Sequence, residues 1–294
     1  MYKNIFINST GSNLYTTLGF LDKIKKETKD ITIWNVTGNA SLILFFKLLG
    51  LTATQTFDKL KKLEIVNSLI NGHSLFPENE GDKKDFILDY LNNSCKDNII
   101  DMDISLKKIQ TLTGITACFL VWNRSLKKIE NLNPNDYPDI KLKDAILASL
   151  TNIGVYKEHS IYKNVYSSLA NIDPLPISHS YYDNIDEFLY LVNIGEYKKD
   201  YCLYNNLGPL KSTEDEFLLQ KEELTKFRSG EVLNKLPNSE NIAKIYSIFS
   251  RGNSKEEEKS SLFILGHSQA VGFLQGTDTH KVYKEYLESV YSQR

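Results

Sequence analysis

The opening of the chain alternates short apolar runs with amphipathic stretches. Residues 4–8 and 32–37 are strand-like, whereas 14–28 and 42–49 repeat their apolar positions at helical spacing. A β-α-β-α order of this kind predicts parallel neighbouring strands covered by helices, because parallel strands need a crossover connection. Gly50 sits where the second helix ends, and Thr52 or Thr54 can cap a further helix over 56–70. Pro77 and Gly81 mark 71–82 as a loop. Helices are predicted over 85–94 and 105–113, the latter ending at Gly114. The run Ile115 to Asn123 is apolar on both faces and predicts a central strand.

Further on, 141–150 reads as a helix. The stretch 159–194, with Pro174, Pro176 and many Tyr and Ser residues, reads as an irregular surface excursion. Strand character returns over 197–204. A helical C-terminal part begins at about 214, with a charged amphipathic helix over 214–228, a solvated charge run at 255–259 and a terminal helix from about 278 to 290. No repeat or long linker divides the chain, so residues 1–294 are expected to form one domain.

Composition removes several functional classes. The chain has 294 residues, 41% of them hydrophobic, enough for a full core. Its 35 basic and 37 acidic residues are interspersed and leave a formal charge of -2, which disfavours nucleic-acid binding. The longest apolar run, around Leu42 to Leu49, falls well short of the roughly 20 residues of a bilayer span. The residues from Met1 enter a strand pattern with no secretory h-region, so an intracellular, cytoplasmic setting is expected. Cys95, Cys118 and Cys202 fit neither a disulfide framework nor a zinc site. His73, His159, His179, His267 and His280 have no metal-ligand spacing, and no metal or cofactor is expected.

The segment Val36 to Leu44 carries the most chemistry. It reads as a strand, a tight turn and a buried helix, the layout of a G-x-S-x-G elbow that lifts a nucleophilic serine at the apex of a strained turn. Gly38 is in place, but the apex residue is Ala40, which has no oxygen with which to attack an ester, and Leu42 stands at the second glycine. Sliding the frame to recruit Ser41 would put Asn39 and Ile43 at both glycine positions. Ser12, Ser41 and Ser149 read as caps and turn residues. Leu262 to Ala270 also looks like a hydrolase elbow around Ser268, but only Asp278 and His280 follow it, too close together to complete a Ser-acid-His order.

Three segments, in order over roughly Lys3 to Leu210, resemble the patatin-like phospholipases, especially the intracellular and viral-type members. The first, Ile7 to Leu14 running into Thr17-Leu18-Gly19, is similar to the family's glycine-rich oxyanion loop. Here that loop would comprise Ser9, Thr10, Gly11, Ser12 and Asn13, with Asn13 where a basic residue is usual. The second is the elbow with Gly38, Ala40, Ser41 and Leu42. The third pairs 142–156 with Asp200 to Leu207, similar to the family's D-G-G turn, with Asp200 at the base position and Tyr201 and Cys202 replacing two glycines.

The resemblance implies a three-layer α/β/α sandwich on a largely parallel central sheet, with Ala40 and Asp200 facing one another at strand ends. It implies a protein that has lost its Ser-Asp dyad and is kept as a lipid-binding, interaction or structural module. The alternative is an active lipid acyl hydrolase that uses a non-standard serine such as Ser41, Ser12 or Ser268. The implied partner is lipid or protein, and for a viral member the virion is a further setting.

Overall fold

The structure is a computed structural model that describes residues 2–9, 13–62, 80–96, 98–151, 159–169, 176–181, 184–196, 239–248 and 256–291. The opening alternation folds as expected into β1 (Asn4–Ser9), α1 (Asn13–Lys23), β2 (Ile33–Gly38) and α2 (Ala40–Leu48). Then come α3 (Ala53–Lys61), α4 (Glu80–Ser94), α5 (Leu106–Thr113), β3 (Thr116–Asn123), β4 (Lys128–Leu132) and α6 (Leu142–Leu150). Thr52 caps α3 through a reciprocal pair with Gln55, and Ser105 caps α5, which stops at Gly114 in the left-handed region. α4 starts at Glu80, inside the span expected as a loop.

The later chain departs further from expectation. Within the supposed excursion lie the hairpin β5 (His159–Ile161) and β6 (Asn164–Ser168), and the strand β7 (Phe188–Glu196). The C-terminal part contains the strand β8 (Ile242–Ile248) before α7 (Glu256–Leu274) and α8 (Thr279–Tyr291). The expected strand over 197–204 and helix over 214–228 lie outside the described residues.

The described strands form one sheet in the order β5-β6-β3-β2-β1-β7-β8, with β4 also on β3. β1, β2, β3, β7 and β8 run parallel, and β4, β5 and β6 are antiparallel additions. Phe119 pairs with both Val36 and Leu132, and Val121 with both Glu130 and Ser168. A strand residue has two edges, so β2 and β6 share one edge of β3 and β4 takes the other. β6 therefore continues the line of β2, and its Ser168 end lies against the Gly38 turn.

Buried residues of α1 to α8 join one face of the sheet, among them Ile5, Ile7, Trp34, Val36, Phe119, Leu189 and Ile245, in the larger core. The opposite face carries a smaller cluster of Phe6, Leu120, Leu169, Phe188, Tyr190 and Val192. Over that face Asn35 of β2 acts as a surrogate strand. Its amide donates to the Tyr181 carbonyl at 2.8 Å and accepts from the Tyr181 N–H at 2.7 Å, which ties down the chain after Pro176.

α1 and α7 cross with their backbones in contact. A Cβ on Gly19 would lie 1.9 Å from the Phe263 carbonyl oxygen, and one on Gly266 would lie 2.0 Å from that of Thr16. The expected solvated charge run is in fact largely the first turn of α7, and Lys259 is buried. Its ammonium donates to the Lys61 carbonyl at the end of α3 at 2.8 Å and lies 5.8 Å from the Tyr15 ring centroid. A cation is favoured at a helix C-terminus and over an aromatic face, which explains a lysine there. At the sheet's end, Gln269 of α7 donates to the Tyr246 carbonyl of β8 and accepts from its N–H, both at 2.7 Å. Thr279 of α8 donates to the Lys244 carbonyl.

Glu130 of β4 is a buried carboxylate. Burial alone would raise its pKa, but the Lys128 ammonium and the Tyr166 hydroxyl beside it outweigh that and hold it below the ordinary carboxylate value. Tyr166 donates to it at 3.0 Å. A depressed folded-state pKa contributes stability above the unfolded-state value of about 4.3, which is lost as pH falls through the folded value. Denaturation curves should thus show Glu130→Gln costing about 1.5–3 kcal/mol at neutral pH. The gap to the natural protein should shrink progressively on acidification below that value, and a gap that stays constant would refute the assignment.

Candidate functional site

The sheet's carboxyl edge holds the residues that the sequence singles out. Gly38 ends β2 at φ +63°, opposite Ser9 in the parallel register. A Cβ there would stand 2.6 Å from the Ser9 carbonyl oxygen, which itself accepts from the Asn39 N–H at 2.8 Å. Glycine is thus required twice, for the backbone conformation and for the close approach. The positive φ falls on Gly38, whereas Ala40 has an ordinary φ and opens α2. The turn therefore does not carry its strain at the residue expected as its apex. Ala40 and Leu42 are both buried within the larger core, which closes the Ala40 position to solvent.

The serines around this turn are used locally. Ser41, wholly buried, donates its hydroxyl to the Gly38 carbonyl at 2.8 Å, and Ser149 of α6 reaches the same carbonyl at 3.4 Å. A hydroxyl turned back on the strand end is held away from any carbonyl that approaches from outside. Among the described residues, the buried Ser9 and Thr37 hydroxyls meet no hydrogen-bond partner. Ser268 lies exposed in the middle of α7, where it bonds back to the Ile264 carbonyl at 3.2 Å, so its segment is no elbow. The neighbouring Gly266 belongs to the crossing with α1.

Strand order reverses beside this turn. From β1 the chain builds outward through β2 to β3, and later places β7 and β8 on the other side of β1. In open α/β sheets the crevice beyond the carboxyl ends at such a reversal is where ligands bind. Here the protein's own side chains cross it. The β1–β7 ladder stops at Ile7↔Leu191. Beyond it the Asn8 side chain accepts from the Asn193 N–H at 2.7 Å, and the Asn193 amide donates to the Asn8 carbonyl. Thr17 of α1 bonds to Asn193 at 3.0 Å and to the Asn13 carbonyl at 2.8 Å. The Asn13 side-chain oxygen accepts from Ser247 of β8.

Asn13 was expected in an oxyanion loop. It opens α1, and its buried side-chain oxygen is bonded to β8, three strand spacings or about 14 Å across the sheet from β2. Asn8, Thr17, Asn193 and Ser247 complete a buried chain of polar groups that sequence patterning does not single out. Thr10, Gly11 and Ser12 lie outside the described residues, as do Asp200, Tyr201 and Cys202. Cys95 and Cys118 are buried free thiols, and burial pushes Cys95 up to about 11, so neither is a ready nucleophile. Among the described residues no group of three His, Cys, Asp or Glu side chains could hold a metal ion, and no single helix is long and apolar enough to cross a membrane.

No family model and no curated protein sequence matches the chain. Among solved structures it is similar to VipD from Legionella pneumophila, with a TM-score of 0.55 and 10% identity over 94% of this chain and 67% of that one. It is also similar to the type III effector protein ExoU, with a TM-score of 0.49 and 11% identity over 94% of this chain. The chain spans about half (53%) of the length of ExoU. A further structure, ExoU of the Pseudomonas aeruginosa type III secretion system in complex with SpcU, matches with a TM-score of 0.42 and 11% identity over 81% of this chain and 53% of that one. At such identities the likeness concerns the fold, and the fold is the patatin-like one, with helices on a central, largely parallel sheet.

Proposed function

We infer that this chain is a patatin-like protein that has lost its hydrolase chemistry and acts as a lipid-binding, interaction or structural module. The observation that carries the reading is the Gly38 turn. It keeps the glycine and the strand-to-helix geometry, yet presents a buried Ala40 methyl where the resemblance puts the nucleophile. Two further features support it. Ser41, the alternative nucleophile, is spent on the Gly38 carbonyl, and Asn13 is spent on Ser247. Removing the serine of a comparable hydrolase costs on the order of 10⁶ in turnover, so no residual rate above background is expected.

The test is hydrolysis of a short-chain ester and of phospholipid vesicles by the purified protein, together with labelling by a fluorophosphonate probe. The expected result is background rates and no label. Turnover abolished by Ser41→Ala would overturn the reading in favour of an acyl hydrolase, and turnover abolished by Ser268→Ala would overturn it by a different route.

A further inference from the structure

Two hairpin tips stand side by side at the carboxyl edge of the sheet. The Arg124 N–H donates to the Val165 carbonyl at 2.8 Å, and the Val165 N–H donates to the Ser125 hydroxyl at 2.9 Å. The β3–β4 loop is thereby fastened to the β5–β6 turn. β3 runs four residues past Phe119, the partner of Val36, so the paired tips rise about 13 Å or more beyond that level of the sheet. They overhang the end where the Gly38 turn lies.

Each tip exposes a large apolar side chain: Leu126 is 54% exposed and Tyr162 is 79% exposed. Cations flank them along the chain. Residues 124–128 read Arg-Ser-Leu-Lys-Lys and are all exposed, and Lys163 follows Tyr162, with no acid in either tip. Lys128 shares its charge with Glu130 at 2.9 Å. The backbone supplies an independent signal. Lys127 at φ +52° and Tyr162 at φ +54° are the two non-glycine residues in the left-handed region among the described residues. In the β5–β6 turn the positive φ falls on the first central residue, a position that type II′ geometry ordinarily gives to glycine. Large side chains are thus kept where glycine would fold with less strain, the pattern of a segment held for a purpose other than folding.

We propose that these paired tips dock the sheet's carboxyl edge onto an anionic lipid surface. Leu126 and Tyr162 enter the headgroup layer, while Lys127 and Lys163 lie over the lipid phosphates and carboxylates. Two protruding apolar points flanked by cations suit a fluid, negatively charged interface, which closes around each point, whereas a folded partner would need a cavity for each. The choice of lipid rests on the lipid-binding reading above, and the place rests on the hairpins.

The test is flotation of the full chain with vesicles of phosphatidylcholine alone and with vesicles containing roughly a quarter phosphatidylserine. The natural protein should bind only the anionic vesicles and be released by salt. Lys127→Gly with Lys163→Ser should weaken binding about fivefold per cation. Leu126→Ser with Tyr162→Gly should weaken it about tenfold or more. Glycine at 127 and 162 removes backbone strain, so these variants should melt at or above the natural temperature, which separates lost binding from lost folding. No vesicle binding by the natural protein, equal binding to both vesicles, or binding unchanged in the variants would each overturn the proposal. Fatty acid released from bound vesicles would sink the non-catalytic reading and leave the docking site standing.

Discussion

Replacing Gly266 by alanine is expected to destabilise the fold by more than about 3 kcal/mol, with a melting-temperature drop on the order of 10 °C or outright failure to accumulate as soluble protein. The new methyl would sit 2.0 Å from the Thr16 carbonyl oxygen and 2.8 Å from the Phe20 nitrogen, both backbone atoms that no rotamer change can move aside. Relief requires α1 and α7 to separate, which loosens Phe20, Leu262 and Leu265 in the core they share. Gly19→Ala should behave alike, since its methyl meets the Phe263 carbonyl. Gly272→Ala is the control. Its nearest neighbour is a Val282 methyl at 3.1 Å, and alanine favours a helix interior by about 0.8–1 kcal/mol, so the expected change is small. A Gly266 variant as stable as the Gly272 variant would show that the crossing is looser than described.

Restoring the basic residue of the resembling family through Asn13→Arg should destabilise the protein by about 3 kcal/mol or more. Asn13 is 1% exposed, and its neighbours Ser247 and Thr17 offer hydroxyls but no carboxylate. A guanidinium would bring an unpaired charge into that chain of polar groups and would displace the Ser247 contact. Urea denaturation measures the effect, and Asn13→Ala supplies the comparison in which contact is lost without added charge. An arginine variant no worse than the alanine variant would mean that the side chain finds a route to solvent. Under the non-catalytic function proposed above, reinstating a serine alone would leave Asn13 and Thr17 still holding α1 on β7 and β8.

The opening alternation was legible because each run has one period: residues 4–8 and 32–37 are strand-like, and 14–28 and 42–49 repeat as helices. β7 was hidden for a compositional reason. The apolar run Phe188 to Val192 follows a Pro-, Tyr- and Ser-rich stretch, yet it is wedged between β1 and β8 by long-range pairing. α7 defeats pattern reading differently. Its buried positions include Lys259, Gly266, Gln269 and Gly272, residues that hydrophobicity counts as surface or breaker, so a packed helix reads as a charge run followed by an elbow. The Gly38 turn was legible because a glycine at a strand end is a local signal. The commitments of Asn13 and Asn193 were not, since an amide declares no partner until distant strands converge on it.

Among the described residues, the hydrogen bonds along the outer side of β8 limit how another chain can add to that strand. A strand margin with free N–H and C=O groups is a template on which another chain can add by backbone pairing, either as a bound peptide or as the first layer of an aggregate. Gln269 takes both outward groups of Tyr246, and Thr279 takes the carbonyl of Lys244. An incoming strand would have to displace two helices before it met a free backbone group at these residues. At Tyr246 and Lys244, therefore, strand addition is blocked, which makes this stretch of β8 a barrier to templated growth.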